Sequence, residues 1–361
     1  MRRRSLSLFR GAGRNADLGL LHETFFVAAV TTILFIRTQL WLTNYPQLGG
    51  HGLHIAHLLW GGLLMVIALA ILLSLLGRRA RWPAALNGGI GFGFFIDELG
   101  KFITADNNYF FKPAAGLIYL VFITLFLISR AYQRHRGLND AERVRNAIEL
   151  IGEATLGPLR EGSRRRALAL LARVPASNQL RAPLLGLLEG LDATPDPDPP
   201  WFSRAGAAVA RRYQGWARRP WFHGVVTAVF VFWFGTEIVT IVALVLGSGG
   251  DSIAHLSFVN VASLCSTAVS TAMVVVGLAR LARGERLDAY TWLARALLVS
   301  IFVTRVFSFV ESQFGAVIGL GIDVLLLISV QLMAAQERRR LEPEGGERPP
   351  QQGSASIASA P

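Results

Sequence analysis

Residues Ile90–Tyr119 read IGFGFFIDELGKFITADNNYFFKPAAGLIY, and this stretch decides the fold. Asp97, Glu98 and Lys101 fall within two helical turns of one another, among long apolar runs and just downstream of a glycine-rich run. A charged side chain at membrane depth costs about 2.5–3.5 kcal/mol on insertion scales. Three such groups kept together must either neutralise one another inside a helical bundle or be put to use.

Working outward, the chain of 361 residues is 52% hydrophobic and only 17% charged. Soluble domains carry roughly 25% charged residues, so the composition is that of a polytopic membrane protein. Eight apolar stretches approach the length of about 20 residues that a spanning helix needs: 24–43, 53–76, 84–104, 110–131, 222–246, 256–280, 288–310 and 313–335. The expected fold is therefore all-α, with about eight transmembrane helices and a small helical insert. The net charge of +12 suggests nucleic acid at first sight. The arginines instead lie in short segments beside the apolar runs, with no compact basic face interleaved with aromatics, which speaks against nucleic-acid binding. Cys265 is the single cysteine and falls within an apolar run. An intrachain disulfide is thereby excluded, and the expected role is that of a small buried hydrophobe.

Basic residues set orientation in a bilayer. They occupy the N-terminal arm (Arg2, Arg3, Arg4, Arg10, Arg14), the loop at Arg78, Arg79 and Arg81, and the long segment after the fourth span. They return at Arg280, Arg283 and Arg286 and again at Arg338–Arg340, whereas Asn44–Gly52 and Ser248–Ala254 have none. Both termini are thus expected in the cytoplasm. The division that follows is a basic arm over 1–23, four spans over 24–131, an insert over 132–220, four more spans over 221–336 and an expected disordered tail over 337–361. In the insert, Asn139 or Asp140 can cap a helix whose apolar residues Val144, Ile148 and Ile151 follow the helical period. Two shorter helices are expected near Arg164–Arg173 and Gln179–Leu191, then an extended linker over Asp192–Pro200. The following WFSRAGAAVARRYQGWARR has the composition of a helix lying in an anionic membrane surface, and equally that of an ordinary basic flank. Three short helices make a thin core, so the insert is expected to lean on the membrane or on a second copy of the chain.

The two four-span halves align weakly. FIRTQL (Phe35–Leu40) faces WFGTEI (Trp233–Ile238), and FIDELGKF (Phe95–Phe102) faces FVTRVFSF (Phe302–Phe309), setting Glu98 against Arg305. Copies with an even number of spans would run parallel, as a 4+4 repeat about an axis along the membrane normal.

At 1.5 Å of rise per residue, Arg37, His54, His57, Asp97, Glu98 and Arg305 share the outer half of the membrane, with Glu237 and Asp323 nearer its middle. Gly89, Gly93 and Asp97 are spaced by four and lie on one face, and a glycine face is where another helix packs closely. His54, His57 and Gly61 likewise share a face. One reading is a buried polar cavity built from Arg37, His54, His57, Asp97, Glu98, Lys101, Asn107, Glu237, Arg305 and Asp323. The other is an ion-pair network in which Asp97 meets Lys101 and Arg305 meets Glu237 or Asp323. His54, His57 and Glu98 are also of the ligand types that hold zinc. GGIGFG lacks the context of a phosphate loop and is better explained by helix packing.

GFGFFIDELGKFITADNNYFFKPAAGLIY, with HIAHLLWGG (His54–Gly62) upstream, resembles a family of bacterial polytopic integral membrane proteins without an assigned activity. The resemblance covers about residues 51–120. It implies only a shared pattern that includes Asp97, Glu98, Lys101, Asn107 and Phe111, and no reaction; the expected setting of the chain is the bacterial inner membrane.

Three functions follow as expectations. The first is binding or translocation of a small polar solute or protons, with Asp97 and Glu98 as the titratable pair, Arg37 and Arg305 as counter-charges and His57 as a proton partner. The second is a membrane-embedded, metal-dependent hydrolase acting on lipid. The third is a sensor or scaffold whose insert is the output. Expected partners are the lipid bilayer, the solute or proton, and a second copy of the chain.

Overall fold

A computed structural model of the chain describes residues 13–43, 57–104, 111, 113–134, 137–247 and 258–341. These are almost wholly helical and divide into two compact units. Residues up to Pro200, with Phe309–Gln313, belong to the first. Trp201–Ser308 and the residues from Phe314 belong to the second.

The first unit opens with α1 (Leu18–Leu42), α2 (His57–Ser74) and α3 (Arg78–Asp97), followed by a short α4 (Leu99–Ile103) and by α5 (Pro113–Arg134). Helix α1 starts six residues before the expected start of the first span at 24. Its lead-in, Arg14–Asp17, is tied to the insert and so is already ordered. Helix α2 buries only Gly61 and Ala68 while Leu59, Leu63, Val66 and Leu73 stay exposed. A helix that is apolar all round and mostly uncovered by protein is one that lipid must cover.

Helix α3 lies between α1 and α2. It contains Pro83 and four glycines, each costing about 1 kcal/mol relative to alanine in a helix. Close packing offsets that loss. A Cβ at Gly93 would stand 2.6 Å from the Ala29 carbonyl of α1, and one at Gly91 would stand 2.7 Å from the Gly61 carbonyl of α2. Neither helix could approach α3 so closely if these residues had side chains. The contacts make α1 and α3 parallel, and α2 antiparallel to both.

The insert forms α6 (Asp140–Gly152), α7 (Glu161–Ala172) and α8 (Arg181–Gly190). Asn139 caps α6 in a reciprocal box with Glu142: its side chain accepts from the Glu142 N–H at 2.8 Å, and Glu142 accepts from the Asn139 N–H at 2.9 Å. Val144, Ala147, Leu150, Ile151, Leu171 and Leu188 form its small core. The expected linker begins with a two-residue strand, since β2 (Ala193–Thr194) pairs in parallel with β1 (Leu159–Arg160). This insert leans on the base of its own helices. Arg14 pairs with Glu142 at 3.0 Å, the Ala16 N–H donates to Asn146 at 2.8 Å, and Arg81 pairs with Glu149 at 2.8 Å.

The second unit comprises α9 (Trp201–Ala217), α10 (Pro220–Gly247), α11 (Phe258–Ala282), α12 (Arg286–Val299), a π-helical segment at Ser300–Thr304, the first half of α13 (Arg305–Ser312), up to Ser308, and α14 (Ala316–Leu341). Its core gathers Phe222, Val226, Phe230 and Phe234 of α10 against Leu293 and Leu297 of α12 and Val330 and Met333 of α14. Helix α9 packs through Ala217 and through Tyr213, whose hydroxyl bonds to that of Ser329. Cys265 is not buried as expected but lies on the exposed face of α11.

Six of the described helices are long and apolar enough to cross a membrane: Leu18–Leu40, His57–Ser74, Pro113–Gln133, Phe258–Ala282, Arg286–Ser312 and Ala316–Arg340. That is the build of a multi-pass membrane protein. The other two expected spans correspond to α3, whose glycines and charges lower its hydropathy, and to α10, of which Trp221–Thr236 forms a shorter apolar stretch.

Candidate functional site

The carboxylates of the opening motif sit where α3 stops. Asp97 is its last residue, and Glu98 turns the chain before α4 begins. Both are buried, Asp97 at 1% exposure and Glu98 at 0%. Adjacent in sequence, they face different neighbours. Asp97 continues the Gly89–Gly93 face towards α1, where Arg37 Nε donates to its Oδ1 at 2.6 Å and Arg37 Nη2 to its main-chain carbonyl at 3.0 Å. Glu98 is directed towards α2, where its Oε1 accepts from the His57 N–H at 2.7 Å. His57 Nδ1 lies 3.5 Å from the same oxygen, and Lys101 Nζ lies 3.3 Å from Oε2. The His57 ring stacks on Phe94 of α3, with centroids 6.2 Å apart. A carboxylate at the start of the described α2 also meets the positive end of that helix.

The glycines set this geometry. Contact of α3 with α1 at Gly93 brings Arg37 to Asp97 one turn later, and contact with α2 at Gly91 brings His57 to Glu98. The expected pairing of Asp97 with Lys101 is replaced: Lys101 meets Glu98, and the cation on Asp97 is Arg37.

The second unit holds its own cluster. Asp323 of α14, at 0% exposure, accepts from Arg305 Nε at 2.7 Å, from the Ser300 hydroxyl at 2.8 Å and from the Trp233 indole at 3.3 Å. The Arg305 guanidinium lies over the Trp233 ring, 5.7 Å from its centroid. A side chain at Gly319 would run into that guanidinium. Of the two carboxylates expected to face Arg305, Asp323 is the partner. Glu237 lies in α10, with its side chain outside the described part. His54 and Asn107 lie outside the described residues altogether. Ser300 and Trp233 escaped the reading of the sequence. The i, i+4 step from Asp323 back to Gly319 was its nearest signal.

In both clusters the helix departs from regularity at the charge. Glu98 interrupts α3 and α4, and Arg305 follows directly on the π segment. Such irregularities in membrane helices recur at functional positions.

Zinc fits the described residues poorly. Among them, no three His, Cys, Asp or Glu side chains come together, and the Lys101 ammonium stands at the Glu98 carboxylate where a second cation would be repelled. No family model, no curated protein and no solved structure matches this chain.

Proposed function

We propose that this chain is a bacterial inner-membrane protein of eight spans, with both termini cytoplasmic, that binds or translocates a small polar solute or protons. The site is the pair Asp97–Glu98 with Arg37, His57 and Lys101, in the outer half of the membrane. The observation that carries the reading is Glu98. It is a fully buried carboxylate at a helix interruption, held from a separate helix by one backbone N–H and the edge of one imidazole.

The run of α3 beside α1 supports counting it as a span. Glu98 and Arg305, which face each other in the alignment of the two halves, both stand where a helix is interrupted, and this favours the 4+4 repeat. In the mechanism, Arg37 is the fixed counter-charge to Asp97. Glu98 is the exchanging group: a proton or the cationic part of a solute competes with Lys101 for its Oε2, while His57 relays or stabilises the charge.

Proteoliposomes loaded with a pH-sensitive dye test the proton form, and unfolding temperatures against a panel of small zwitterions, polyols and cations test the solute form. Glu98→Gln abolishes the flux or the ligand-induced shift, and Lys101→Met alters its dependence on cation concentration. Flux and shifts equal to those of the parent in Glu98→Gln would overturn the reading.

A sensor reading is favoured by one separate observation. The insert grips the starts of α1 and α3 through Arg14–Glu142 and Arg81–Glu149, and the same two helices meet at Arg37–Asp97 further along. Occupancy of the site would then be felt at the insert.

A further inference from the structure

A groove of about 960 Å³ opens on the second unit, lined by residues of neither charge cluster described above. One wall is a stripe of α10 rising from His223 through Gly224 and Ala228 to Val231 and Phe232, about 13 Å of helix at 1.5 Å per residue. The small residues make the furrow, and Leu281 of α11 closes its side. At one end the groove is ringed by Arg218, Arg286 and Arg340, with His223 beside Tyr290, their ring centroids 6.4 Å apart.

Two features of this ring point to a ligand. Its position is the first: Arg286 is the first residue and Arg340 the last of helices long and apolar enough to span, so the ring stands at the membrane boundary. Its charge is the second. No Asp or Glu among the described residues lines the groove. Among the described residues, neither Arg218 nor Arg286 has a carboxylate within 4.0 Å, and Arg340 has only Glu337 at 3.8 Å. The nearby carboxylates Glu285 and Asp288 are engaged by Arg280 at 2.6 and 3.4 Å.

We infer that the groove is a binding site for one anionic phospholipid, its phosphate held by Arg218, Arg286 and Arg340 and one acyl chain lying along Gly224, Ala228, Val231 and Phe232. Guanidinium forks match phosphate oxygens in geometry and charge. A bilayer supplies the headgroup at this depth and the hydrocarbon just below it. A soluble phosphate would satisfy the arginines and leave the apolar furrow uncovered.

The test uses the full chain in a neutral detergent, with phosphatidylglycerol, phosphatidylcholine and inorganic phosphate as separate probes. Native mass spectrometry is expected to show one tightly retained phosphatidylglycerol, and unfolding temperature is expected to rise with that lipid alone. Arg218→Ala with Arg286→Ala lowers retention about tenfold; both side chains are exposed, so the fold is unaffected. Gly224→Leu is the second variant, because a side chain there meets nothing within 4 Å and would fill the furrow while sparing the arginines. It abolishes lipid retention but not weak phosphate binding. Equal retention of phosphatidylcholine, no effect of either variant, or full stabilisation by inorganic phosphate would each overturn the assignment.

Discussion

Arg37 and Asp97 close one end of a helix pair whose other end is closed by Asp17 and Arg78. At the near end Arg78 Nε and Nη2 engage the Asp17 carboxylate, the latter at 3.2 Å, and at the far end Arg37 Nε reaches Asp97 at 2.6 Å. Asp17 and Arg37 are 20 residues apart and Arg78 and Asp97 are 19 apart. Either interval is about 30 Å of helix, the thickness of a bilayer's hydrocarbon core. The signs are also ordered. Helix α3 begins with a cation and ends with an anion, both wrong for its dipole, and α1 supplies the answering charge at each end.

Breaking the far pair is therefore costly. Arg37→Ala leaves Asp97 buried without this guanidinium and should destabilise the chain by about 3–5 kcal/mol. Arg37→Met with Asp97→Leu should recover most of that loss. Unfolding in mixed micelles measures both, and a loss below about 1 kcal/mol for Arg37→Ala would contradict the pairing.

Close packing at Gly91 should be as demanding. Gly91→Val forces α2 and α3 apart, costing about 1–3 kcal/mol, and draws His57 from Glu98. Gly62→Val, one residue along α2 from Gly61, meets open space and should be neutral. Equal effects of the two substitutions would show that the helices do not touch here.

Strong acid should loosen the insert. The Arg14 guanidinium, aided by the N–H groups of Asn139 and Arg14, holds the Glu142 carboxyl down to about 2, against the opposing effect of burial. An acid depressed in the folded state contributes stability that is complete above its ordinary value of 4.5 and is lost as pH falls towards 2. Glu142→Gln should cost about 1.5–3 kcal/mol at pH 7, and the gap between variant and parent should close on acidification. A pH-independent gap would argue against the Arg14 pairing.

In the second unit, Asp323→Asn leaves the Arg305 guanidinium, 6% exposed, facing a neutral amide. A loss of about 3 kcal/mol is expected, against about 1 kcal/mol for Ser300→Ala, which removes one hydrogen bond. Comparable losses for the two would place the importance of Asp323 in its shape instead of its charge.

Most of the helical layout was legible in composition and period, because apolar runs near spanning length and the Asn139–Glu142 box are local signals. The partners of the charges were not. Asp97 and Lys101 are four apart and looked paired, but the chain turns at Glu98, so the regular helical face ends between them. Arg14, Arg78 and Arg81 read as orientation signals, whereas each also meets a carboxylate of Asp17, Glu142 or Glu149. Such pairs depend on how helices rotate about their axes, which no spacing within one helix reports. Helix α3 fell short on hydropathy for the same reason that it packs so tightly, its glycines.

The π segment at Ser300–Thr304 sets the angular phase of everything that follows it. A π turn holds one residue more than the α turn it replaces, so removing any single residue there would let the helix run on regularly. Arg305 would then swing by about 100° around the axis, and its guanidinium would leave Asp323. The irregular turn works as a vernier: an insertion of one residue, tolerated by the backbone, aims the arginine.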